Sequence, residues 1–126
     1  MSTSEIDHSS LKRLLDVLGN DTAELQDLLQ DYIEDAPDLA RRITEAAAQG
    51  DRTALRIAAH TLKSNARDFG ATRLAELCAG LEKACVEGRP EDPEGYADRI
   101  RQAEQAARLA LLDVSLDDLD GPGSVA

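Results

Sequence analysis

The sequence predicts an all-α fold: an up-and-down antiparallel four-helix bundle over residues 5–112, with a short additional N-terminal helix. Three observations carry that expectation. Apolar residues recur at helical spacing through five successive segments. Those residues are mostly Leu, Ala, Ile and Val, whereas aromatics make up 2% of the chain (Tyr32, Phe69 and Tyr96) and Trp is absent, a composition that favours helices over sheets. The breaks between segments are short and carry Gly, Asp or Pro, so consecutive helices are expected to lie antiparallel.

The first helix is expected over Asp7 to Leu18, with Leu11, Leu14, Leu15 and Leu18 at helical spacing and Gly19 closing it. Asp21 is a natural N-cap for the second, with Glu24 at capping-box spacing. Its stripe holds Leu25, Leu28, Leu29, Tyr32, Ala36, Leu39 and Ile43. Pro37 falls inside, and a proline removes a helical hydrogen bond and favours a kink. The stripe nevertheless keeps its phase across Pro37, which predicts one long kinked helix to about Gln49. Gly50-Asp51 ends it and caps a third helix that runs to Phe69, with Gly70 a suitable residue beyond its end. The fourth, Thr72 to Glu87, offers Leu74, Leu77, Cys78, Leu81, Ala84 and Cys85 to the core. Gly88, Pro90 and Pro93 mark a loop. The fifth, Pro93 to Leu112, offers Tyr96, Ile100, Ala103, Ala107 and Leu111. Residues 113–126 form an acidic tail expected to fray.

A length of 126 residues suits one domain with a single modest core. A net charge of −11 repels a phosphate backbone and an anionic membrane alike. No apolar run approaches the roughly 20 residues needed to span a bilayer. The N-terminus lacks the basic start and apolar run of a signal peptide, so a cytoplasmic location is expected. From the starting methionine and the capped first helix an independent protein is expected, with a segment of a larger protein as the other reading. Cys78 and Cys85 sit two turns apart on one helix face, about 10 Å by rise and too far for a disulfide, and read as small buried hydrophobes.

Most reaction chemistries lack their residues. No Gly-rich phosphate loop is present, a di-iron bundle site would lack its ligands, and no metal-binding set is identified. One histidine stands out. In the third helix Leu55, Ala58, Ala59, Leu62, Ala66 and Phe69 share one apolar sector, and His60 lies about 150° from its middle, facing solvent. Arg56, Lys63, Ser64 and Arg67 share that outer face. From Asp51 to Gly70 the chain has four cations (Arg52, Arg56, Lys63 and Arg67) and two anions (Asp51 and Asp68), against the sign of the whole. Nearby positive charge favours a neutral, nucleophilic imidazole and offers charge-assisted hydrogen bonds to a phosphoryl group. Ser64, small and one turn on, leaves room for another protein to bring such a group in line. His8, in the first turn with no supporting arrangement, reads as plain surface.

The run Ala59-His60-Thr61-Leu62-Lys63-Ser64, followed by Gly70-Ala71 and Arg73-Leu74-Ala75, resembles the histidine-containing phosphotransfer (HPt) domains of bacterial phosphorelays. The pattern extends through the preceding helix (Leu29 to Pro37) and the following one (Leu74 to Glu87), and the resemblance covers about Leu11 to Leu111. It implies a phosphocarrier rather than an enzyme. His60 would take a phosphoryl group from an aspartyl phosphate on one receiver domain and pass it to another, and Lys63 would assist electrostatically. The implied partners are receiver domains of a hybrid histidine kinase or of response regulators, docking over the first three helices, with Arg56, Ser64 and Arg67 as contacts. The protein would need no cofactor, because the receiver supplies Mg²⁺, and a monomer is expected. Gly70 would close the helix. Ser64 stands where the family usually has glycine, and Asn65-Ala66 replaces a common pair of serines. The alternative is a helical adaptor that binds receivers or other signalling proteins without being phosphorylated.

Overall fold

A computed structural model describes residues 5–116, and among these all regular structure is helical: α1 (His8–Val17), α2 (Thr22–Gln49), α3 (Arg52–Asp68), α4 (Thr72–Glu87) and α5 (Pro93–Leu112). Four of the five starts share one device, an aspartate ahead of the helix whose side chain accepts from a backbone N–H of the first turn. Asp7 accepts from Ser9, Asp21 from Glu24, Asp51 from Ala54 and Asp92 from Gly95, at 3.0–3.1 Å. Each such cap is worth about 1 kcal/mol. Helix α4 is the exception: its N-cap residue, Ala71, provides no side-chain cap.

As the stripe predicted, α2 runs unbroken through Pro37 for 28 residues. Gly50 then takes a left-handed conformation (φ +68°), and Asp51 starts α3 at once. Helix α2 packs on α3 and α5, and α4 packs on the same two, so four helices close a ring; α1 lies outside it against α3 and α2. The core inside the ring is mostly Leu, Ala and Ile, with Tyr32 and Phe69 in ring contact at 4.9 Å. Cys78 and Cys85 are buried free thiols.

The apolar stripes are largely where the spacing puts them, with informative exceptions. Leu28 is 37% exposed: it lies about 100° around the helix from buried Leu29 and lines a surface cleft instead of the core. In α5 Tyr96 is only partly buried, and the buried positions are Ala97, Ile100, Ala103, Glu104, Ala107 and Leu111. Past Leu112, Val114 and Leu116 still pack against the core. The rest of the expected tail, 117–126, lies outside the described residues.

Gly70 closes α3 for two reasons. Its φ is +75°, a region that side-chain-bearing residues avoid. It also meets the N-terminal segment: the Asp7 N–H donates to the Gly70 carbonyl at 2.7 Å, and a Cβ on Gly70 would collide with the Asp7 carbonyl oxygen. One glycine thus ends the helix that carries His60 and seats the start of α1.

Candidate functional site

The buried face of α3 (Leu55, Ala58, Ala59, Leu62 and Ala66) fixes the rotation of the helix, and that rotation holds His60 outward with its side chain 57% exposed. Lys63, one turn on, turns toward α4 and is mostly sheltered, its side chain 16% exposed. Between them stands a residue that the sequence pattern does not single out. Glu82, on α4, places one carboxylate oxygen 2.7 Å from His60 Nδ1 and the other 2.5 Å from Lys63 Nζ. One carboxylate therefore ties together two residues of α3 from the neighbouring helix.

The electrostatics follow from that bridge. The hydrogen bond from Lys63 holds the Glu82 carboxyl below the usual carboxylate range, partial burial opposes this, and the contact with His60 adds to it. Glu82 is thus an ionised, acceptor-only group. A neutral imidazole beside it must carry its proton on Nδ1, which leaves Nε2 as the free lone pair. The Cys78 thiol, which feels the charges of Glu82 and Lys63 from the core, is pushed up to about 12 by burial first and Glu82 second, so it stays a protonated packing group.

His60, Lys63 and Glu82 form one cluster, and the other expected contacts stand apart from it. Ser64 is exposed, and its hydroxyl is directed back to its own helix, donating to the His60 carbonyl at 3.3 Å. Arg56 is half-buried, and its charge acts on Cys85. Arg67 is exposed and lines a cleft with Arg13 of α1 and Thr72 of α4. The expected purely cationic setting of the imidazole is accordingly amended: the charge bonded to the ring is a carboxylate, and the nearest lysine is bound to that same carboxylate. His8 is exposed at the start of α1.

A signal for Glu82 does exist in the sequence. The α3–α4 hairpin turns about Gly70 over three residues, so positions at similar distances on either side face each other, and Glu82 lies nearly as far after the turn as His60 lies before it. It also sits at the edge of the α4 stripe, four residues after Cys78 and three before Cys85.

Comparison with known proteins places the chain in a family. A family model described as the Hpt domain matches residues 27–119, the greater part of the chain. The chain belongs to the Hpt family. Among solved structures it is similar to histidine-containing phosphotransfer protein B (HptB) from Pseudomonas aeruginosa PAO1, with a TM-score of 0.78 and 25% sequence identity over 89% of this chain and 95% of that one. A search of curated proteins returned no significant match. Membership supports a phosphotransfer role for this fold, and members are phosphocarriers, not kinases. Hpt domains interact with receiver domains of two-component systems. Among the described residues no helix is long and apolar enough to cross a membrane.

Proposed function

We propose that the protein is a phosphorelay intermediary in which His60 Nε2 is the phosphoacceptor. The observation that carries this reading is the hydrogen bond between Glu82 and Nδ1, since it leaves Nε2 of an exposed ring with its lone pair. In the forward step Nε2 attacks the phosphorus of a receiver's aspartyl phosphate. The Nε2–P bond forms, the P–O bond to the aspartate breaks, and the aspartate leaves as a carboxylate. The phosphorylated ring keeps its Nδ1 proton and gains positive charge, which Glu82 stabilises across 2.7 Å. Lys63 holds Glu82 in place and lies one helical turn from the incoming phosphoryl group, where its charge favours the anion. The reverse sequence delivers the group to a second receiver.

The ring of helix contacts with short connections supports an up-and-down antiparallel bundle. The protein contributes imidazole, carboxylate and ammonium groups, and the Mg²⁺ of transfer belongs to the receiver. A monomeric, cytoplasmic protein serving a hybrid kinase or a response regulator fits the family and the charge. Incubation with a phosphorylated receiver should yield an acid-labile, base-stable label that His60→Gln abolishes. Full labelling of that variant would overturn the assignment and favour the adaptor reading.

A further inference from the structure

His60 divides the outer face of α3 into two unlike sides. Toward α4 the surface is closed by Lys63 and Glu82, as described. Toward α2, near the end of α3 and five to nine residues beyond His60, lies a cleft of about 180 Å³. The mutually tilted rings of Tyr32 and Phe69 line it together with Leu28, and so do the carboxylates Asp31, Asp35 and Asp68.

The three carboxylates belong to a wider asymmetry. From residue 14 to residue 40 the chain has eight Asp and Glu and no Lys, Arg or His. At the end of this stretch and beyond it, acids of α2 are neutralised within the helix: Arg41 bonds Asp38 and Glu45, and Arg42 bonds Asp38. The side chains of Asp31, Asp35 and Asp68 have no ion pair or hydrogen bond among the described residues. Across α3 the sign reverses. There a second cleft, of about 390 Å³, is lined by two cations, Arg67 and Arg13, against one acid, Glu76, together with the hydroxyl residues Ser10 and Thr72. Arg67 has no ion pair among the described residues, and Arg13 bonds only the Ser10 hydroxyl, at 3.3 Å.

We propose that this polarity selects and orients the receiver. The inference rests on the reading of His60 as phosphoacceptor and adds to it what the partner must carry. A partner that covered three unpaired carboxylates with apolar surface would strip their hydration without return. One that brings a lysine or arginine finds complementary charge there, with Leu28 and Phe69 available to its alkyl stem. The occupant of the α2–α3 cleft is therefore a cationic side chain of the receiver, and an acidic edge of the same receiver meets Arg13 and Arg67. With a cation demanded on one side and an anion on the other, a receiver rotated half a turn about His60 would bring like charges together.

The test uses the full chain and a receiver domain that exchanges phosphoryl groups with it. In the Asp31→Asn/Asp35→Asn/Asp68→Asn variant, KM for the receiver should rise about tenfold, with kcat within about twofold and a flatter dependence of kcat/KM on salt. Arg13→Gln/Arg67→Gln should act in the same direction. Changing Asp31 and Asp35 to Lys should be rescued by a receiver whose own facing cation is made acidic. Unchanged KM and salt dependence in the triple variant, while His60 still transfers, would overturn the docking proposal alone. Failure of the wild-type chain to exchange with every receiver of the source organism would overturn both this proposal and the phosphoacceptor reading.

Discussion

Glu82 and Glu104 are both sheltered carboxylates at the edge of the core, and each is held by a cation, yet they are put to different use. Glu104 on α5 has a side chain only 4% exposed and is satisfied within its own helix, where Arg108, one turn on, donates from Nε at 2.8 Å. Among the described residues it reaches no functional group, and the buried Tyr32 hydroxyl close enough to feel its charge has no hydrogen-bond partner. Glu82, at 18%, reaches across to α3 and divides its two oxygens between a lysine and an exposed imidazole. A pair within one helix holds that helix's own surface together. A carboxylate shared across two helices sets the tautomer and orientation of a third group, and only that arrangement has chemical consequences beyond the fold.

Breaking each pair should separate the two roles. The largest effect is expected on stability, from Arg108→Ala, which leaves Glu104 buried without its cation and should cost about 3 kcal/mol in urea unfolding. Glu104→Leu should be near neutral, because charge and cavity are removed together, and neither change should alter phosphotransfer. At the other carboxylate the sensitivity inverts. Glu82→Ala removes a charge-assisted hydrogen bond worth about 1.5–3 kcal/mol to the charged ring, which corresponds to roughly 10–100-fold in the transfer rate with little loss of fold. Lys63→Ala should slow transfer or shorten the phosphohistidine lifetime less than this, since Glu82 keeps its contact with the ring. Equal effects of Glu82→Ala and Arg108→Ala on transfer would erase the distinction.

The smallest effect concerns pH. The Glu82 carboxyl sits below its ordinary value of 4.5 in the folded chain, chiefly through Lys63. Its ionised network therefore contributes stability that is complete above that value and lost as pH falls through the lowered one. Wild-type protein should lose more stability than Glu82→Gln between pH 7 and pH 3, by less than about 1 kcal/mol for a partly exposed pair. The other carboxylates held low by neighbours, Asp7, Asp38 and Asp98, titrate alike in both proteins and drop out of the comparison.

How much of the molecule is legible in the sequence depends on the range of the interaction. The unbroken α2 can be read because the phase of an apolar stripe is a property of one segment, and Pro37 does not shift it. Gly70 can be read as a helix end from local backbone preference, but its contact with Asp7 cannot, because that joins residues far apart in the chain. His60 is visible through its angle to the apolar sector and through a motif. Lys63 reads as an exposed helper, whereas it is sheltered and bonded, because its partner lies on another helix. Leu28 reads as core because spacing alone does not say where a stripe ends and a groove begins.

Pro37 has a consequence for α2 as a mechanical element. Lacking an N–H, it leaves the carbonyl one turn earlier, that of Ile33, without its usual helical donor. The gap falls where the charge changes character. Before it, Asp31 and Asp35 await a partner's cation; beyond it, Arg41 and Arg42 neutralise Asp38 and Glu45. The helix is one rod joined at a weakened rung. Core packing carries the helix across it, through Leu29, Tyr32 and Ala36 before the proline and Leu39, Ala40 and Ile43 after it.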